Sequence, residues 1–505
     1  MVSNCRQFIA GKSQKDESVR DCRYFKECMM RHDLVGRRHF MQRSAMLLGA
    51  SAILPKTFGQ TTLMVRPEWQ AFKTTPRYDS FLRAVKLMKA NTQATDPRSW
   101  SYWTNIHLNR CPHSIPYFFA WHRGYLYYFE RQLRAVCGDP QLILPYWDYY
   151  TNPTLPAEFT NPSTDNPLYV ARVNNNVRQA LSMAPFDSSL INFPTNSANA
   201  FEPSFESAPH NLVHNIIGGV MSDMLSPTDP IFWLHHANVD RLWVAWVSAG
   251  NGRKMPAISS AYWSGSHMYT STLTLRRSYT YSTRTTLGYR YQNESFPTGL
   301  PLARSAPSTP DLVQAAPNER ATTQPPLGSF RISPTRQTSD RTFAISGALD
   351  IGLDERSTGV QLPVSSEHMR ALAQIGVGGT ATVPASQQRY RSVQLVLDNV
   401  MITEAGKRGG YYYRVDLNLP PNASGKLQSI PIGTLGAFEI SGAAHHGSPV
   451  WLRYRMRRAV FAGVAARIGL LSVSFVRVDG EQGPTGQVIG LGEVRLELST
   501  EDNDA

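Results

Sequence analysis

Asp229-Pro230-Ile231-Phe232-Trp233-Leu234-His235-His236-Ala237-Asn238-Val239-Asp240-Arg241-Leu242-Trp243 sets two adjacent histidines in a helical frame. Asp-Pro is a good helix start, and Ile231, Leu234, Val239 and Leu242 recur at helical spacing in a segment running to Ser248. Neighbours on a helix diverge by roughly 100°, so His235 and His236 cannot both face one point. One is expected to bind something and the other to support it. Upstream, Pro209-His210-Asn211-Leu212-Val213-His214 sets two histidines four apart. That spacing puts both on one helix face, where both can meet one metal ion.

Working outward, a second histidine window holds His107, His113 and His122. His122 opens a segment, Phe119–Val136, with apolar residues at helical spacing and a stop at Gly138. Three neutral imidazoles per group suit copper or zinc, and residue types alone leave both open. Two such groups on paired helices suggest a coupled binuclear centre inside a helical bundle.

The 505 residues are 42% hydrophobic and 10% aromatic, enough for a large core and for two or three domains. No run of about 18 apolar residues predicts a membrane span. The formal charge is +13, and the first sixty residues hold eleven Lys/Arg against five Asp/Glu. No dense basic stripe argues for nucleic acid. Five cysteines, Cys5, Cys22, Cys28, Cys111 and Cys137, are odd in number and contain no CxxC pair. Neither a disulfide scaffold nor a thiolate zinc site is expected.

Residues 1–60 read as a leader. Gly36-Arg37-Arg38-His39-Phe40-Met41-Gln42 resembles a twin-arginine export signal, followed by a mildly apolar stretch, Ser44 to Leu54. Ala50-Ser51-Ala52 offers a cleavage site, and the sequence predicts a periplasmic or secreted product. The 36 residues ahead of the arginine pair are long for such a signal, and Met29 and Met30 are alternative starts. Residues 61–292 form an aromatic-rich helical domain, and residues 293–340, rich in Pro, Ser, Thr and Ala, read as a linker. Residues 341–505 change period: Ser392–Asn399, Tyr411–Leu419 and Leu471–Val478 read as strands, predicting an antiparallel β-sandwich. The fold class expected is therefore α+β and multidomain, a mainly helical domain with a four-helix-bundle site followed by a β-rich one.

Several motifs carry a family resemblance. Cys111-Pro112-His113, Phe119-Ala120-Trp121-His122-Arg123, Tyr128-Phe129-Glu130-Arg131 and Leu144-Pro145-Tyr146-Trp147-Asp148 resemble the first copper region of tyrosinases. The two stretches around His210–His214 and Asp229–Trp243 resemble the second. Together they cover roughly the central 180 residues. The family is that of the type 3 copper proteins: tyrosinases, catechol oxidases and the oxygen-carrying haemocyanins. The resemblance implies two coppers with O2 as co-substrate, one copper held by His107, His113 and His122 and the other by His210, His214 and His236. His235 would support the ligands from behind. Asn238 and Asp240 are candidates for orienting ligand rings, the alternative being that Asp240 faces Arg241 or a helix end.

The resemblance reaches further residues. Val65-Arg66-Pro67-Glu68-Trp69 and Leu287-Gly288-Tyr289-Arg290-Tyr291 resemble the family's opening and closing segments, with an arginine stacked near a tyrosine to tie the ends together. Glu206 resembles a glutamate that holds a water near the coppers, and Asn211 a residue that helps activate it. The alternative is a solvated carboxylate and a surface amide. Cys111 resembles the cysteine that forms a thioether to the histidine two residues on, here His113, with a Cys111–Cys137 disulfide as rival. More weakly, the tail resembles β-rich domains that cover the site and place a residue in its mouth. Tyr411, Tyr412 and Tyr413 are exposed-strand candidates, but three tyrosines in a strand are more often packing and no mouth residue is assigned; His445-His446 is expected in a surface loop.

The function implied is oxidation of small phenols: hydroxylation of monophenols, oxidation of o-diphenols to o-quinones, or both. An o-aminophenol oxidase is the nearest alternative, and a haemocyanin-like oxygen-binding protein a more distant one.

Overall fold

The computed structural model describes residues 63–301, 324–383, 388–420, 428–445, 447, 449–462 and 471–502. The leader and its arginine pair lie outside these residues. From Leu63 onward the chain forms one compact unit, a helical region followed by a β-sheet region.

Five helices matter for the site: α1 (Arg77–Ala90), α2 (Trp100–Arg110), α3 (Phe118–Cys137), α4 (Asn211–Ile217) and α5 (Ile231–Ser248). In α3, Phe118, Phe119, Trp121, Tyr125, Phe129 and Leu133 are all buried, and α3 packs on both α1 and α5. The helix ends at Gly138, whose φ of 71° and N–H bond to the Arg134 carbonyl form a left-handed cap. Helix α5 is buried without interruption from Ile231 to Trp243. Polar residues on it must therefore find partners inside the protein. Its first turn is fixed by Asp229, which accepts a hydrogen bond from the Ile231 N–H at 3.0 Å and pairs with buried Arg172. Trp233 stacks on Phe129 of α3 at 3.3 Å between ring centres.

Two short strands close this region. β1 (Met64–Arg66) pairs in parallel with β4 (Tyr289–Tyr291); a small hairpin, β2 (Ser266–Met268) and β3 (Thr274–Arg276), lies between them in sequence. The expected arginine–tyrosine contact is present: the Arg66 guanidinium lies 3.8 Å from the centre of the Tyr289 ring. Arg66 also bonds Glu130 and the Tyr291 hydroxyl.

The C-terminal region contains two larger sheets. Its strands are β5 (Leu327–Gly328), β6 (Arg331–Ser333), β7 (Arg336–Ser339), β8 (Thr342–Leu353), β9 (Thr358–Leu362) and β10 (Ser392–Ile402). They continue with β11 (Tyr411–Leu419), β12 (Gln428–Gly436), β13 (Leu452–Met456), β14 (Leu471–Asp479) and β15 (Ile489–Ser499). One sheet runs β13-β10-β15-β8-β6, with β7 also on β8; the other runs β12-β11-β14-β9-β5. Alternate residues of both sheets, such as Leu395, Leu397, Val415, Val473, Phe475 and Leu496, enter one core. Among the described residues from 341 onward the strand pairings are antiparallel, as expected; the one parallel pair joins β9 to β5, which lies in the segment before them. The segment read as linker also contains β5, β6 and β7. Strands of two to four residues show no periodicity of their own, and their pairing is supplied by β8 and β9. Between α6 (Ser366–Gly376) in this region and the chain end, α7 (Ala437–His445) leaves the sheet after Gly436 and packs against α4.

Candidate metal centre

Each of α2, α3, α4 and α5 turns at least one histidine inward: His107, His122, His214 and the pair His235-His236. His113 follows α2, and His210 immediately precedes α4. These seven residues form two groups: His107, His113 and His122, and His210, His214, His235 and His236. Within each group the candidate ligand atoms lie within 4.8 Å of one another. The groups face each other: the His122 and His236 rings stack at 4.4 Å, and Nε2 of His210 lies 3.3 Å from Nε2 of His236.

Backbone carbonyls orient three of the rings and a side-chain amide a fourth. His107 Nδ1 donates to the Met224 carbonyl at 2.9 Å, His122 Nδ1 to the Phe118 carbonyl at 2.8 Å, and His214 Nδ1 to the Met221 carbonyl at 2.7 Å. His210 Nδ1 bonds the Asn211 side-chain oxygen at 2.8 Å. Each such bond fixes the tautomer with its proton on Nδ1 and leaves the Nε2 lone pair free to coordinate. Nε2 of His107, His122 and His214 is buried with no hydrogen-bond partner among the described residues. A buried polar atom left so costs about 1–3 kcal/mol, so several converging ones are best explained by a ligand they share. Burial holds the imidazoles neutral: His107 falls to about 4 and His235 to about 3, and burial drives His122, His210, His214 and His236 well below the usual range. Neutral, convergent, carbonyl-oriented imidazoles fit soft or borderline divalent metals and copper in both oxidation states.

The remaining expected residues fall as follows. His235 is fully buried beside Tyr149, ring centres 5.6 Å apart, and stacks on His210 at 5.4 Å. Asn211 holds His210. Glu206 is buried and accepts the Ser114 N–H at 2.6 Å. Burial pushes its carboxyl well above the usual range; the Ser114 bond opposes this, and Glu202 and Glu439 add to it. The ring-orienting reading of Asp240 is corrected. Its oxygens take hydrogen bonds from Arg123 at 2.6 Å and from the hydroxyls of Tyr289 and Tyr291 at 2.7 and 2.6 Å. Asp240 therefore ties α5 to α3 and to the closing strand. Asn238 likewise bonds Arg241, not a histidine. Cys111 Sγ lies 3.3 Å from His113 Nδ1. Cys137, at the far end of α3, points at the Arg134 carbonyl, and both thiols are free, so the rival disulfide is absent.

One residue of the centre escaped the sequence. Phe438, at the start of α7 and 2% exposed, stacks on His214 at 4.1 Å and meets His113 and His210 edge-on at 5.3 and 5.7 Å. Asn215 holds it there: its side-chain oxygen accepts the Phe438 N–H at 2.9 Å, and its amide donates to Glu439 at 2.7 Å. The three candidate tyrosines lie elsewhere. Tyr411 and Tyr413 enter the β-sheet core, and Tyr412 packs into the core of the helical region and bonds the Gln179 carbonyl at 2.9 Å. A single phenylalanine after a strand end carries no signal that separates it from core. His445 is exposed at the end of α7, and His446 lies outside the described residues.

Fold and site together define a protein with two facing histidine-lined metal positions at the heart of a helical region. Residues 77–180 and 155–249 match the common central domain of tyrosinase. This part of the chain is a tyrosinase-type domain, the dicopper module of the type 3 copper proteins, and its cofactor is a pair of copper ions. Among relatives, a tyrosinase of Hahella sp. is 31% identical over 36% of this chain and 52% of its own length. A tyrosinase of Streptomyces glaucescens is 32% identical over 27% of this chain and 64% of its own. The matches thus span about half to two thirds of these relatives. The structure of latent apple tyrosinase overlays with a TM-score of 0.48 at 19% identity, covering 87% of this chain and 98% of that one.

Proposed function

We propose that this protein is a copper-dependent phenol oxidase that uses O2 to hydroxylate monophenols, to oxidise o-diphenols to o-quinones, or both. The observation that carries this reading is the convergence of buried imidazoles, three of them oriented by backbone carbonyls, in two facing groups within a tyrosinase-type domain. In it, His107, His113 and His122 hold one copper, and His210, His214 and His236 the other. The contacts of His236 with both His210 and His122 favour it over His235, which sits behind them against Tyr149. The helices α2, α3, α4 and α5 then act as a four-helix bundle around the metals, followed by a β-sandwich domain over roughly 341–505.

The copper pair, when bound, supplies the oxygen-activating, two-electron chemistry. The chain supplies the rest. Backbone carbonyls lock His107, His122 and His214, the Asn211 side chain holds His210, and the aromatic walls Phe118 and Phe232, with Phe438 lying across the histidines as a cover, keep water from the centre. A phenol with pKa near 10 must lose its proton to bind well, and Glu206 with Asn211 is the assisting pair. Because burial raises the Glu206 carboxyl, it would act as a base only where positive charge held by the histidines offsets that push. In the diphenol reaction two substrates are oxidised to quinones while one O2 is reduced to two waters. A thioether between Cys111 Sγ and a ring carbon of His113, formed as the S–H and C–H hydrogens are lost to O2, which is reduced to H2O2, would fix His113. Residues 1–60 would direct export through a twin-arginine route to the periplasm or outside the cell.

The test is turnover of tyrosine, catechol and o-aminophenol by copper-loaded protein, alone and as Phe438→Ala, followed by oxygen consumption. Catechol oxidation with oxygen uptake is the expected result. Preference for o-aminophenol would move the assignment to that substrate class. Reversible oxygen binding without turnover in either form would make the protein a carrier.

A further inference from the structure

The outward face of the six-stranded sheet carries a cleft of about 250 Å³, lined by none of the histidines and formed along β7, β8, β10, β13 and β15. At its rim stands Trp451, 52% exposed, in a protein whose other described tryptophans are all buried. A large aromatic ring left in water at a cleft edge is unusual unless something covers it. Arg453, two residues on, lies 5.0 Å from the ring centre and makes no ion pair among the described residues, so its guanidinium donors remain available. The cleft floor is polar and held rigid. Arg495 bonds Asp398, Glu493 and Glu497, with the last two at 2.9 and 2.6 Å, and Gln394 donates to Glu497 at 2.8 Å. The lining carries three arginines and three acidic residues.

We infer that this cleft binds neutral carbohydrate. The charges balance, so the site has no net field to select an anion or a cation. It offers instead an aromatic plane beside fixed donors and acceptors. A pyranose ring has that chemistry, with an apolar C–H face to lie on Trp451 and equatorial hydroxyls that both donate and accept hydrogen bonds. Arg453 would donate to ring hydroxyls, and Asp398 and Glu497, pre-oriented by Arg495, would accept from them. Pre-orientation lowers the ordering cost on binding. Such a site would hold the enzyme on a neutral polysaccharide while leaving the metal centre free.

The experiment is affinity electrophoresis of the full copper-loaded chain through native gels containing a β-1,3-glucan, a β-1,4-glucan, a xylan or starch, with alginate as an anionic control. Retardation by at least one neutral polymer is expected. Trp451→Ala should weaken it at least tenfold, with copper content, thermal melting and phenol oxidation unchanged. Arg453→Gln should weaken it less. Failure of every neutral polymer to retard the protein would overturn the inference. So would retardation that survives Trp451→Ala, or retardation by alginate alone, which would report only the positive net charge.

Discussion

His235 and His236 differ by one position and by everything around them. In the proposed centre His236→Ala should abolish oxidation and remove roughly half of the bound copper, because a three-ligand site reduced to two binds weakly. His235→Ala should retain most of the metal. Equal copper loss in the two variants, measured by elemental analysis, would reverse the assignment. Glu206 makes a second residue-scale claim. Diphenols are more acidic and chelate, whereas a monophenol with one hydroxyl depends more on a nearby base. Glu206→Gln, compared at matched copper content, should therefore lower tyrosine hydroxylation by about a hundredfold and catechol oxidation much less. Equal loss of both activities, or no loss, would return Glu206 to a structural carboxyl. At this scale the histidine types and spacings were legible, because seven imidazoles in two aromatic windows have few other uses. Their orienting partners were not. The carbonyls of Met221, Met224 and Phe118 belong to residues whose side chains say nothing about them, and Asp240 looked like a ligand partner only because it follows His236 closely in sequence.

Among the elements, α5 and α7 are the two on which the site most depends. Helix α5 starts where Asp229 caps Ile231 and pairs with buried Arg172. Asp229→Ala strips the cap and leaves a buried guanidinium unpaired, a loss of about 3–5 kcal/mol, which should appear as a lower melting temperature and weaker copper retention. Asp229→Asn, which keeps the cap, should cost less; equal melting of both variants with wild type would show that the helix start is held by packing alone. Helix α7 carries Phe438 across the histidines. Truncating a buried phenylalanine costs about 3–5 kcal/mol, so Phe438→Ala should lower stability while raising the oxidation rate on bulky phenols. A slower or unchanged rate at full copper content would mean that Phe438 is a wall and not a cover. The long helices were readable: Phe119–Val136 missed α3 by one residue at each end, since an unbroken aromatic stripe and Gly138 mark both its face and its stop. The strands of 327–339 were not, because their structure resides in the longer strands they join.

For the whole molecule, the sequence separated a helical half from a β half by a change of period, and two cores correspond to that change. It did not reveal how closely they are joined. Phe438 and Asn215 bind the halves together beside the histidines, and Asn174 and Tyr412 bind them elsewhere, through contacts more than two hundred residues apart in sequence. Such pairs leave no local pattern. The central claim, that the two histidine groups form a dicopper phenol-oxidising centre, is tested most directly by loading the purified chain with copper, removing excess metal, and measuring copper per chain together with catechol-dependent oxygen uptake. The account predicts two coppers per chain and oxygen uptake that rises in proportion to copper occupancy. A single tightly held metal, a preference for zinc, or two coppers with no catechol-dependent oxygen uptake even in Phe438→Ala would contradict it.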